Sequence, residues 1–316
     1  MARRARSETF GLAQIALAAT IWGSIPVLVR EVDASPFVIV FWRVFFAGLV
    51  IGGYLLVRGR LAEVKALPRR RVVTLVGMGA LLTLNWVLFF GALTLTDVSV
   101  AVLLAYCGPV FVAALTPLLA RQPFDKRVIV PLALALFGVV IIVGPNRISL
   151  DSSSSMLGAG MAFTSAITYA VLVLNAQRLV RGIPATVYML VEYMTASLLL
   201  LPAVLLLSGP SGARQWGALI ALGVVSTAIT GFLFLSAIRT VRADHAAIIT
   251  YAEPVSAVVF AAAFLAEPIT ATTIIGGVLV VTGGLLVARM RTGATVEGPP
   301  VLVREEVGSV ALKREE

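Results

Sequence analysis

Apolar runs of roughly twenty residues recur from Phe10 to Ala288, separated by short breaks in which most of the charge collects. A helix rises about 1.5 Å per residue and the hydrocarbon core of a bilayer is about 30 Å thick, so each run has the length of a membrane-crossing helix. The pattern predicts ten spans, near residues 10–29, 36–57, 72–93, 98–119, 127–144, 157–177, 185–207, 216–238, 245–265 and 271–288. Most connections are short, which makes several neighbouring spans antiparallel hairpins. No ten-residue alternation of apolar and polar positions occurs, and backbone groups inside a bilayer need internal partners. The spans are therefore helices rather than barrel strands.

Composition fits this pattern. Of 316 residues 59% are apolar and 13% charged, against about a quarter charged in soluble domains. An ordinary water-soluble enzyme is excluded. The net charge of +9 does not signal nucleic acid. Eighteen lysines and arginines fall at the N-terminus, in connections 2–3, 4–5, 6–7 and 8–9 and at the start of the tail, while the opposite connections carry only Arg30, Arg147 and Arg214. This positive-inside bias predicts a multi-pass protein of the cytoplasmic membrane with both termini cytoplasmic. Arg3, Arg4 and Arg6 before an apolar run imitate a signal peptide, but removing that run would leave nine spans and invert the charge rule. Cys107, the single cysteine, lies in an apolar run as a packing residue.

The two halves resemble each other. Tyr106, Pro109, Pro123 and Gly138 recur as Tyr251, Pro254, Pro268 and Gly283, all displaced by 145 residues, and Trp22 and Tyr169 fall at matching places in spans one and six. The chain divides into a cytoplasmic N-terminus (1–9), a first five-helix repeat (10–145), a flexible linker (146–156), a second repeat (157–290) and a disordered cytoplasmic tail (291–316). Because five is odd, the second copy enters from the other side. The expected fold is an all-α membrane protein of ten transmembrane helices in two inverted repeats, a design suited to alternating access.

Ile21-Trp22-Gly23-Ser24, Trp42-Arg43 followed by Ala47, and Phe89-Phe90-Gly91-Ala92-Leu93 resemble the ten-helix exporters of the drug/metabolite transporter superfamily, the EamA type. So do residues 100–109, Tyr251-Ala252-Glu253-Pro254, Ala266-Glu267-Pro268-Ile269-Thr270, Gly276 and Gly283, and the likeness covers about residues 10–289. The resemblance implies a central cavity lined by the first four helices of each repeat, spans five and ten at the periphery, and a small metabolite, amino acid or drug as solute. One departure stands out: Gly108 and Gln122 occupy the places of Glu253 and Glu267.

Arg43, Glu192 and Glu253 are the ionisable residues deep within spans, with Asp97, Asp244, His245 and Glu267 near helix ends. A charge at mid-bilayer costs about 2.5–3.5 kcal/mol on insertion scales, so such a group faces a cavity or a partner. An offset of 149 puts Arg43 opposite Glu192 and Ala47 opposite Ala196, and a shift of one residue fits equally well. Two readings of Arg43 stand: a cavity pair with Glu192 or Glu253 that binds the ends of an amino-acid-like solute, or a guanidinium satisfying helix-end carbonyls or snorkelling outward. Glu192 and Glu253 are the candidates for proton coupling, since a carboxyl that changes protonation with access couples flux to a proton gradient. Either one can instead serve as a neutral, hydrogen-bonded structural group. Glu267 reads as a cap and His245 as a solvated cytoplasmic residue.

The remaining solute-binding candidates are Trp22, Ser24, Asn85, Trp86, Tyr106, Thr168, Tyr169 and Tyr251, with Ser226 and Thr230 in span eight. Trp and Tyr combine an apolar face with one hydrogen bond, which suits a solute of mixed polarity. Asn85 can bridge helices instead. Pro109 and Pro254 are hinge or kink candidates. One histidine cannot build a multi-histidine metal site, and no nucleophile motif occurs, so an enzyme is the least favoured class and no cofactor is expected. A sugar-phosphate or nucleotide-sugar exchanger is the nearer alternative, but a phosphate dianion favours two or more basic residues and only Arg43 is available.

Overall fold

Among the described residues of the computed structural model, ten segments are long and apolar enough to cross a membrane: Ser7–Arg30, Pro36–Val57, Arg69–Leu95, Val100–Ala120, Lys126–Val143, Ser153–Leu179, Ala185–Leu206, Gly212–Ala237, Ala243–Leu265 and Ala271–Arg289. They are called spans one to ten. The structure describes residues 2–144, 152–266 and 269–290, and every regular element among them is helical. Hydropathy placed the ends within a few residues. Span six starts earlier than expected, because the Ser152 hydroxyl accepts the Ser155 N–H and caps the helix there. Glu267, Pro268, the tail from residue 291 and linker residues 146–151 lie outside the described residues.

Three spans are broken in mid-course. Span one stops at Trp22 and resumes at Ile25, with Pro26 at the new start. Span four breaks at Tyr106 and Cys107 before Gly108–Leu115, and span nine breaks at Thr250 and Tyr251 before Ala252–Leu265. Pro109 and Pro254 each stand in the first turn of the restarted helix, where a missing N–H costs nothing. Irregular backbone at membrane depth is tolerated only inside protein or along a cavity. Span eight holds a π-helical turn, Val224–Ile229.

Hydrogen bonds join alternate connections at the two ends of the bundle. At one end Arg71 Nη1 donates to the Gly182 carbonyl (2.9 Å), Arg239 to the carbonyls of Val180 and Ile183 (2.5 and 3.0 Å), and Arg242 Nη2 to that of Pro123 (3.2 Å). Connections 2–3, 4–5, 6–7 and 8–9 therefore share one end. At the other end Arg214 pairs with Glu31, and the hydroxyls of Thr96 and Ser155 meet at 2.9 Å.

Contacts between the halves come in exchanged pairs. Spans five and ten pack along each other, and a Cβ on Gly138 would lie 2.5 Å from the Gly276 carbonyl oxygen. Exchanging the halves turns that contact into Gly283 on Pro131, where a Cβ would lie 2.6 Å from the carbonyl oxygen. Spans three and six match spans eight and one: Asn85 Nδ2 donates to Thr168 Oγ1 (2.9 Å), and Trp22 Nε1 to Thr230 Oγ1 (2.8 Å). Gly79 abuts the Glu192 carbonyl and Gly223 that of Arg43. Arg121 and Ala266, 145 residues apart, are the non-glycine residues with positive φ among those described, at 53° and 54°.

Candidate solute-binding site

The Tyr106 and Tyr251 breaks meet at the middle of the bundle. Tyr251 donates its hydroxyl to the Tyr106 carbonyl at 2.6 Å, and the two rings lie 6.2 Å apart. The bond joins residues at matched places in the two halves of the sequence. The carbonyl freed by the break in span four is thereby satisfied from span nine.

Glu253 follows directly, in the first turn of Ala252–Leu265, where the helix dipole favours a negative charge. Among the described residues its carboxylate has neither a hydrogen-bond donor nor an ion-pair partner, yet Arg43, Tyr106 and Tyr169 all lie close enough to feel its charge. The matched Gly108 is covered by Tyr169: a Cβ there would come within 2.7 Å of Tyr169 Cδ1. Only one half has room for an acid at this level.

Arg43 enters from span two. Its Nε donates to Thr227 Oγ1 at 2.6 Å, a longer contact of 3.4 Å runs from Nη2 to the Ser226 carbonyl, and the guanidinium sits 5.4 Å from the centre of the Trp86 ring. The Thr227 hydroxyl in turn donates to the Leu222 carbonyl, five residues back across the π-helical turn (2.8 Å). Neither carboxylate lies within ion-pair distance of Arg43, so the expected direct pair is not formed. Guanidinium and Glu253 carboxylate sense each other without touching.

The structure thus gathers Arg43, Trp86, Tyr106, Tyr169, Tyr251 and Glu253, with Trp22 held against span eight through Thr230 and packed on Phe234 at 5.6 Å. Arg43, Trp86, Tyr106, Tyr169 and Glu253 are only partly buried despite their depth, as expected of cavity walls. Other candidates are engaged elsewhere. Ser24 returns its hydroxyl to the Ile21 carbonyl (2.7 Å) at the break in span one. Asn85 ties spans three and six through the Ser165 carbonyl (2.7 Å) and Thr168. Glu192, 6% exposed, takes the Tyr188 hydroxyl at 2.9 Å within the packing of span seven. Thr227 was missed because a hydroxyl in an apolar span carries no motif; its signal is the Ser226-Thr227 pair, four and three residues before Thr230.

The end holding connections 4–5, 6–7 and 8–9 is closed by polar groups. Gln177 Nε2 donates to the carbonyls of Ile238 and Val241 (3.1 and 2.7 Å), and its Oε1 receives Gln122 Nε2 at 3.4 Å. Arg242 and Asp244 form an ion pair at 2.7 Å, 3% and 2% exposed. Arg127 holds the nearby Asp125 carboxyl below the ordinary carboxylate range. His245, expected to be solvated, is 1% exposed, because residues 241–251 are all buried. Beyond residue 256 the same span is only partly buried, with Val259 and Phe264 exposed.

The EamA-like transporter family model matches this chain twice, over residues 9–144 and 156–289. The chain belongs to the EamA-like transporter family. The two matches cover one half each. Relatives of this EamA-like transporter include an uncharacterized transporter of Archaeoglobus fulgidus, 29% identical over 90% of this chain and 98% of the relative. The pseudopaline exporter CntI of Pseudomonas aeruginosa is 30% identical over 90% and 97%. Transporter YxxF of Bacillus subtilis is 23% identical over 94% and 96%. A solved crystal structure superposes with a TM-score of 0.77, at 20% identity, over 90% of this chain and 98% of that one, and shares the fold.

Proposed function

We propose that this transporter is a secondary exporter of a small amino-acid-like or drug-like metabolite, working by alternating access between two inverted five-helix repeats with both termini in the cytoplasm. The observation that carries the reading is the unpartnered Glu253 carboxylate facing Arg43 where two matched helices break. Broken helices at the bilayer midplane are where secondary transporters hold their solutes. The exchanged contacts support the inverted relation, since two copies of one pattern can adopt each other's conformations. The paired glycine contacts at Arg43 and Glu192 support the 149-residue register. The basic connections gathered at one end support a cytoplasmic assignment for it.

Export fits the relative named as an exporter, and Glu253 is the better proton-coupling candidate because Glu192 is already hydrogen-bonded. Purified protein in proteoliposomes tests the reading by counterflow of labelled amino acids and cationic drugs. Saturable, trans-stimulated flux is expected; ohmic conductance without counterflow would refute it.

A further inference from the structure

We infer that Arg43, seated on the π-helical turn of span eight by Thr227 and Ser226, is a carboxylate-binding subsite, so that the transported solute carries a free carboxylate. The inference rests on the transporter reading of the same cavity and specifies its solute. A guanidinium has five N–H donors in a fixed plane. Among the described residues Thr227 Oγ1 takes Nε and the Ser226 carbonyl takes one N–H of Nη2 at a long 3.4 Å. The outer donors have no protein acceptor there, and the Trp86 ring lies 5.4 Å from the cation. A cation at membrane depth without a counter-ion is costly, and a planar fork of N–H groups is the shape that receives a carboxylate in bidentate fashion.

The turn is built to aim that fork. A π-helical turn displaces backbone pairing by one residue and recurs at functional sites. Here Thr227 uses its hydroxyl proton on the Leu222 carbonyl, leaving its lone pairs for Arg43, and the Tyr193 hydroxyl braces the Thr227 carbonyl at 3.4 Å. Ser226 Oγ is fully buried without a partner, one more donor on the residue whose carbonyl already meets Arg43. Phosphate is disfavoured, because a dianion favours two or more basic groups and here a single guanidinium stands near an acidic side chain, Glu253. That same carboxylate suits a cationic group on the far end of the solute, so an α-amino acid or another amino carboxylate satisfies both walls.

Thermal stabilisation of the purified full-length protein by the twenty L-amino acids, their α-amides and their decarboxylated amines tests the subsite. At least one free acid is expected to bind, with its amide and amine about tenfold weaker or worse, the usual effect of losing a hydrogen bond to a charged group. Arg43→Gln should abolish that preference, Thr227→Val should weaken the acid about tenfold, and Thr227→Ser should restore it. The unliganded melting temperature of each variant reports whether the fold survives. Equal binding of acids and amides, unaltered acid binding by Arg43→Gln, or no acid binding at all overturns the subsite. Flux of cationic drugs without acid binding would sink the subsite and leave the transporter reading standing; acid binding without flux in proteoliposomes would do the reverse.

Discussion

Gly108 and Glu253 stand at matched positions, each directly before a proline. The Tyr169 ring occupies the space a side chain at 108 would need, with 2.7 Å left for a Cβ. Gly108→Ala should therefore lower stability by about 1–3 kcal/mol, the usual cost of overpacking, read as a fall in melting temperature of the purified protein. Glu253 has no partner to lose among the described residues, so Glu253→Gln should fold normally, weaken counterflow of an amino-carboxylate solute by losing the charge that meets its cationic end, and lose the response of the remaining flux to an imposed proton gradient. Unchanged gradient dependence in that variant would remove Glu253 from coupling. The difference between the halves was legible in the sequence as a glycine in the place of a glutamate. Its cause was not, because the ring that fills the space belongs to a residue 61 positions away.

Helices were the most legible level, because the hydrocarbon thickness fixes their length and the composition fixes their place. Breaks were half legible: Pro109 and Pro254 marked spans four and nine, Pro26 stands likewise at the restart of span one, and the π-helical turn of span eight carries no comparable marker. Close approach of spans five and ten depends on glycines with a backbone carbonyl in front of them, which cannot swing aside as a side chain would. Gly138→Ala and Gly283→Ala should each destabilise by about 1–3 kcal/mol and to similar extents, since exchange of the halves converts one contact into the other. Gly284, next along the helix, has open space where its Cβ would stand, so Gly284→Ala should leave the melting temperature unchanged. A large effect at only one of the first two positions would argue against equivalent packing of the halves.

At the scale of the whole molecule, the two ends of the bundle differ. One is sealed by Gln177, Gln122, Arg242 and Asp244 around the buried start of span nine, while the far half of that span is only partly buried. On the proposed orientation the sealed end is the cytoplasmic one, and it must open for the proposed alternating-access cycle to proceed. Impermeant maleimide on intact cells should label Ser211→Cys, and reach Ala66→Cys and Thr240→Cys only after permeabilisation; finding those two on different faces would dismantle the inverted-repeat reading. Gln177 is the hub of the seal because its amide joins span six to connections 4–5 and 8–9. Interhelical hydrogen bonds in membranes average about 0.6 kcal/mol, so losing its three contacts in Gln177→Leu should cost about 2 kcal/mol and move the equilibrium toward the inward-facing state roughly thirtyfold. Ala247 is fully buried behind the seal. A cysteine there should resist maleimide from both faces in the parent, with Cys107 replaced by serine, and become reactive from the Ala66 face in the Gln177→Leu background. If it stays protected while the variant remains folded, the amide network is packing and something else holds the cytoplasmic end shut.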